Sequence, residues 1–572
     1  MKHIALILCL LVIVIGCSPG PEPSPTPSVS PESPVPSPSP TPAVTTTPEP
    51  TGTPAHGGLP LPTVKGAFFS ASGACAPCHT RLTDQAGSDV SIDTDWRATM
   101  MANAARDPYW RASVRSETLE NPELQSVIED KCATCHTGMA RFTAVVQGAD
   151  TLVLDEGFLN EGNNLHTLAV DGVSCTLCHQ IDETGLGEAG SFSGGFVIDD
   201  EQTQGERVIY GPYSVRPGQV ATMQAVTGFS PVQAAHIREA RLCATCHTLY
   251  TPYVDASGEV AGEFPEQMAF LEWSNSAYSE QKPCQGCHMP SFDGVVSPGS
   301  GRESRNSFSR HLFVGGNSYI LDILRWFGPD VNATASSTQF AVKMDHVLDQ
   351  FQSRTATVSV ESSLSGGTLQ ADVTVNSDTG HKFPTGFPSR RAWLHFRVSD
   401  SDGTVLFESG AVDSGGSIAG NDNDAGPGMY EPHYSLIDSA DKVQIYESIM
   451  GDTEGRVTTT LLHGAGYLKD NRLLPLGFDK DDVEDDIAVV GAAIDDSDFK
   501  GGGDTVRYMV EVGEGRGPLT VSVDLMYQPI GYRWANNLRA YEADEVVFFL
   551  GYYDDVPNSG VAVASAVAIV SE

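Results

Sequence analysis

Ten of the 12 cysteines stand in five frames of one kind: Cys75-Ala-Pro-Cys78-His79, Cys132-Ala-Thr-Cys135-His136, Cys175-Thr-Leu-Cys178-His179, Cys243-Ala-Thr-Cys246-His247 and Cys284-Gln-Gly-Cys287-His288. Two thiols three residues apart on a helical turn point the same way. They can add to the two vinyl groups of one porphyrin edge, and the next histidine then lies under the ring, where it can coordinate iron. This is the pattern of covalent haem c attachment. Five frames predict five haem c groups, with His79, His136, His179, His247 and His288 as proximal ligands. Structural zinc needs four protein ligands, usually in paired clusters, and five Cys-Cys-His sets do not divide that way. A disulfide framework would leave the five adjacent histidines without a role.

Each iron has a second axial position. A second histidine there makes an electron carrier; an open position allows substrate chemistry. His236 lies seven residues before Cys243 and His166 nine before Cys175. His311 stands in RHLFVGGN, where Gly315 and Gly316 would let the backbone approach a flat ring. His346 sits in the helical-looking AVKMDHVLDQF, and His381 in the loop-like NSDTGHKFPTGFPSRRAW. These five, with Met101 as a thioether, are the candidate distal ligands. His395 alternates in WLHFRV and reads as a strand residue. Arg390 and Arg391 could pair with haem propionates.

The region 66–350 resembles the multihaem cytochromes c related to the tetrahaem electron carriers of nitrifying bacteria. The CxxCH frames, CQGCHMP at 284–290 and HLFVGGN at 311–317 carry the resemblance. GHKFPTG also recurs in such cytochromes beside a C-terminal sandwich. That family often takes a distal histidine from W-x-x-S-x-H. Here the two such phrases read Trp96-Arg-Ala-Thr99-Met-Met101 and Trp273-Ser-Asn-Ser276-Ala-Tyr278. Both lack the histidine, which points to Met101 as one ligand and leaves room for one five-coordinate haem. No frame has the CxxCK lysine variant of pentahaem nitrite reductases.

The rest of the chain must export and position these groups. An apolar run from Ile4 to Ile15 has signal-peptide length. It ends in Val-Ile-Gly-Cys, resembling a lipobox, so Cys17 is the expected lipidation site and membrane anchor of an exported, periplasmic or cell-surface lipoprotein. Ser18 favours the outer membrane by the same resemblance. Residues 18–62 hold 16 of the 36 prolines and read as a disordered tether, about 140 Å at 3.1 Å per residue when extended. The formal charge of -39 excludes a nucleic-acid partner and suits basic docking surfaces on redox partner proteins, either other cytochromes or a quinol-linked donor.

The expected architecture is multidomain α+β: signal 1–16, tether 17–65, a mostly α/irregular pentahaem domain 66–354, and an immunoglobulin-like β-sandwich 355–572. MMANAARDPYWRASV and SPVQAAHIREARLCATC read as helices. TATVSVESSL, GTLQADVTVNS, RAWLHFRVSDSDGTVLFES, DTVRYMVEVG, GPLTVSVDLMYQ, DEVVFFLGYY and GVAVASAVAIV read as strands. An acidic insert, about 411–500, carries Asn421-Asp422-Asn423-Asp424, a possible Ca2+ site. Two functions follow: an electron carrier, or an oxidoreductase acting at one open haem on a small nitrogen or sulfur compound. A haem-bearing structural subunit is a third.

Overall fold

A computed structural model describes residues 55–202, 205–296 and 304–571. Cys9, Cys17 and nearly all of the proline-rich stretch lie outside the described residues. Among the described residues no helix is long and apolar enough to cross a membrane.

The N-terminal part is built of short helices, several ending in a CxxCH frame: Gln125–His136, Cys175–Cys178, Ala240–His247 and Cys284–His288. Two helices are shorter than their sequence patterns. Within MMANAARDPYWRASV only Pro108 onward is helical, because Asp107 caps Pro108–Glu120, accepting from Tyr109 N (2.9 Å) and Trp110 N (3.2 Å). The residue before a proline is driven out of the α region, so residues 98–106 form turns. SPVQAAHIREARLCATC splits into a strand Phe229–Gln233, a 3-10 turn His236–Arg238 and the helix Ala240–His247. Pairing of that strand with Arg207–Gly211 overrides the local helical pattern. Two further helices follow, Ser318–Phe327 and the longer Ser337–Arg354, the second started by a Ser336/Gln339 capping box.

The C-terminal strands are β1 (Ala356–Ser365), β2 (Thr368–Ser377), β3 (Arg391–Ser399), β4 (Val405–Ser409), β5 (Leu436–Ile437), β6 (Ile445–Gly451), β7 (Gly466–Asp470), β8 (Gly503–Glu511), β9 (Leu519–Gln528) and β10 (Val561–Val570). One sheet has the order β5-β8-β2-β1. The other runs β7-β6-β3-β9-β10, with β4 also on β3. Alternate residues Leu369, Ala371, Val373 and Val375 of β2 share one core with Leu394, Phe396 and Val398 of β3 and Val521 and Val523 of β9. The Tyr508 and Phe396 rings stack at 3.8 Å between the two layers. Asp402-Gly403 forms the expected turn between β3 and β4, Gly403 taking a φ of 81°.

Three expectations change here. DEVVFFLGYY is a helix, Asp544–Asp555. Its buried residues Val546, Phe549, Tyr552 and Tyr553 recur at helical spacing, and its apolar content masks that period. The 411–500 insert is not all loop, since β5, β6 and β7 come from it. Asn421–Asp424 is committed to the protein. Asp424 makes a buried two-point pair with Arg391 (2.8 and 2.9 Å), and Asn421 caps the turn by accepting from Asn423 N. That pairing removes both the calcium reading of the run and the propionate reading of Arg391.

All described residues belong to one compact unit. The expected boundary falls between Arg354 and Ala356, yet the apolar core is continuous across it, joining Tyr109, Ile320 and Phe340 to the sheet residues. A polar clamp crosses the same seam: buried Glu117 accepts from Leu461 N (2.6 Å) and Leu462 N (3.2 Å). Burial pushes its carboxyl from 4.5 up to about 7. A raised carboxyl binds more protons when folded. Its contribution is therefore complete below pH 4.5 and lost as pH rises through about 7. Glu117→Gln is expected to flatten the fall in unfolding free energy across that window in denaturant titrations; an unchanged slope would exclude Glu117 as its source.

Candidate metal centre

None of the ten frame cysteines is joined to another by a disulfide bond. The frames are tied together in space. Buried Asp171, just before the third frame, accepts from Ser72 N (2.8 Å) and Ser72 Oγ (2.7 Å), just before the first. Thr176 Oγ1, inside the third frame, donates to Ser70 O (2.7 Å). Gln285 Nε2, inside the fifth, donates to Glu239 O (2.8 Å) at the head of the fourth helix. Gly194 N donates to Thr245 O (2.6 Å) of the fourth, and a Cβ at Gly194 would strike Thr134 of the second.

The frame histidines are set up as ligands. His136 Nδ1 lies 2.9 Å from Ala104 O, His179 Nδ1 2.6 Å from Tyr210 O and His288 Nδ1 2.5 Å from Val314 O. A carbonyl only accepts, so Nδ1 carries the hydrogen and Nε2 keeps its lone pair. Burial pushes His136 and His288 down to about 4; both are neutral at physiological pH, as a ligand must be. Trp110 stacks on His136 at 4.3 Å. His79 and His247 have exposed surface, yet burial lowers both.

Two distal candidates meet frame histidines. The His311 and His179 rings lie 6.3 Å apart, centre to centre, and 18° from parallel. The His381 and His288 rings lie 6.1 Å apart and 17° from parallel. Contact stacking would bring the rings closer. Two metal–nitrogen bonds of about 2 Å, plus about 1.1 Å from each nitrogen to its ring centre, require a separation near 6 Å. These spacings match one metal ion between each pair, so the residues present fit an axially ligated iron. His381 Nδ1 lies 2.8 Å from Lys382 O, so its Nε2 too is free to ligate.

The other candidates are not brought against a frame imidazole by any ring contact among the described residues. His166 Nδ1 bonds Phe158 O at 3.0 Å, which keeps its Nε2 available. His236 is a buried residue, not a surface one, with 1% exposure. Its Nε2 bonds Ile181 O at 2.9 Å, and its Nδ1 has no partner. His346 is half-buried on Ser337–Arg354, near Arg310. Met101 lies in a turn whose carbonyl accepts from Val173 N (2.9 Å). His395 is a strand residue bonded to Glu408 at 2.9 Å. His56 packs on Phe340. A Cβ on Gly316 would meet the Tyr527 hydroxyl, so that glycine makes room for β9 rather than for a flat ring.

Sequence reasoning missed the network that fixes the His381 loop. Lys382, with no exposed side chain, pairs with Asp470 at 2.7 Å. Arg472 pairs with Asp470 at 2.7 Å and with Glu272 at 2.9 Å. Glu272 Oε2 accepts from Thr385 Oγ1 (2.5 Å) and Lys382 N (3.2 Å). Glu272 precedes Trp273 of the second W-x-x-S phrase, and Gly380 packs on Trp273 and Tyr278. The phrase that lacks its histidine thus abuts the loop that brings one. Apart from neighbouring Asp470 and Arg472, the charged partners stand 88 or more positions apart and carry no local pattern, so no sequence signal marks this network. Arg390 donates to Thr385 O (2.7 Å) and stands near His247.

No family model and no curated protein matches the chain. Among solved structures it is similar to a penta-heme cytochrome c552 from Thermochromatium tepidum, at 14% identity and a TM-score of 0.46, over 87% of this chain and 98% of that one.

Proposed function

We propose that this protein is an exported pentahaem c-type cytochrome that carries electrons between redox partners outside the cytoplasm. The observation that carries the reading is the paired imidazoles, His179 with His311 and His288 with His381, each spaced for one iron and each containing the histidine of a CxxCH frame. Bound haem iron would supply reversible one-electron chemistry. The frame cysteines would attach it, backbone carbonyls would fix the ligating tautomers, and the packed helices would set the distances. The strand order, with β1, β2, β8 and β5 in one layer and β4, β3, β9 and β10 in the other, where β6 and β7 extend the second layer, supports an immunoglobulin-like sandwich. Cys17 would anchor the chain by lipid, and the acidic surface would meet basic partners.

The second reading is catalysis at one haem. Among the described residues no ring contact pairs a second imidazole with His79 or His247, and both W-x-x-S phrases lack their histidine, which favours it. Carbon monoxide titration of the reduced protein separates the two: a closed carrier is expected to bind none, and an open haem to shift its Soret band. Intact-mass analysis of protein from membranes is expected to show five added haems; fewer would sink the proposal.

A further inference from the structure

The sandwich holds an acidic cluster that the haem reading does not use. His433 Nε2 lies 3.4 Å from Asp496 Oδ2 and 4.0 Å from Asp504 Oδ2. Ligand atoms of the three residues lie within 4.8 Å of one another. Asp504 Oδ1, Asp496 Oδ2 and His433 Nε2 are buried without a hydrogen-bond partner, and the Asp504 side chain has no exposure at all. Leaving such atoms unpaired is costly. Asp498 is exposed at the mouth and near enough to Asp496 for mutual repulsion. Burial, with Asp496 and Asp498 adding to it, pushes Asp504 up to about 7.

The neighbours decide which atoms can ligate. His433 Nδ1 faces two amide donors, Gln444 Nε2 at 2.8 Å and Asn471 Nδ2 at 3.1 Å. Neither amide can turn over, since Gln444 Oε1 accepts from Tyr434 N and Asn471 Oδ1 from Glu447 N. Nδ1 is therefore an acceptor, and the ring hydrogen sits on Nε2, aimed at the carboxylates. An imidazole in that tautomer orients a carboxylate but does not bind a metal. What remains is an all-oxygen donor set, the kind hard cations take. Lys480 is held away on backbone carbonyls, donating to Ala493 O (3.0 Å) and Asp496 O (2.5 Å).

We propose that Asp496, Asp498 and Asp504 bind one divalent cation of the calcium class, with His433 Nε2–H steadying Asp496 from behind. The deep Asp504 forms the floor, and the exposed Asp498 gives the entry path. The proposal is independent of the haem reading.

The test is calorimetric titration of calcium chloride into full-length, EGTA-stripped holoprotein. One site is expected, and calcium is expected to raise the melting temperature. Asp504→Asn should abolish uptake. Asp498→Asn, a surface change that leaves the fold intact by circular dichroism, should weaken it. His433→Gln should weaken binding about tenfold, as loss of an orienting partner does. No calcium uptake by the wild type, or uptake unchanged in Asp498→Asn, would overturn the site. So would zinc binding tighter than calcium and lost in His433→Gln, which would make the histidine a ligand.

Discussion

Replacing His381 with alanine is expected to turn one low-spin ferric haem high-spin and to create one carbon monoxide site in the reduced protein. His288 and His381 face each other at 6.1 Å, each with its Nε2 free to ligate. Cys284 and Cys287 would still hold the porphyrin, so the haem count by mass should not change. Only the axial ligand is lost. His381→Met should instead keep six-coordination and raise that haem's potential, since thioether ligation favours the reduced iron. His395→Ala is the control, because His395 bonds Glu408 on a strand. EPR and near-infrared spectra read all three variants. An unchanged spectrum in His381→Ala would remove His381 as a ligand, and with it one of the two pairs on which the function rests.

The second large effect is on stability. Asp470 is buried between two cations, Lys382 at 2.7 Å and Arg472 at 2.7 Å. Their charges hold its carboxyl far below the usual range despite its burial. Asp470→Ala leaves Lys382 buried without a counter-charge and Arg472 with Glu272 alone. Breaking a buried pair in this way costs about 3–5 kcal/mol. Lys382→Met should cost less, because Asp470 keeps Arg472. Denaturant unfolding of the holoprotein measures both. Equal losses would mean that the network does not act through charge. Because Lys382 follows His381, Asp470→Ala is also expected to disturb the His288 haem spectrum, although Asp470 lies 88 residues from Lys382 in sequence.

The frames were legible because attachment chemistry is local: two thiols and an imidazole within five residues say what they hold. Most C-terminal strands were legible because β2, β8 and β9 alternate cleanly between core and surface. The helix Asp544–Asp555 was not, because Val546, Val547, Phe548 and Phe549 form an unbroken apolar run with no visible period. The distal partners needed long-range information. His311 meets a histidine 132 positions earlier and His381 one 93 positions earlier, and no spacing rule links such residues. The Asn-Asp run at 421–424 read as a solvated acidic loop or a calcium loop but serves as a cap and ion pair. The cluster of His433, Asp496 and Asp504 had no sequence signal, because 63 positions separate the histidine from the first aspartate and only the fold brings the three buried orphan atoms together.

The His381 loop lies 94 residues beyond Cys287. A polypeptide exported from its N-terminus presents every attachment thiol well before this imidazole emerges. On the proposed reading, the last cofactor is fastened first and capped later, when the C-terminal layers close. A truncated or stalled secretion product would then be fully pigmented yet reactive toward small gases. Spectral maturation would thus report completion of the whole chain, a built-in mark separating finished molecules from partial ones.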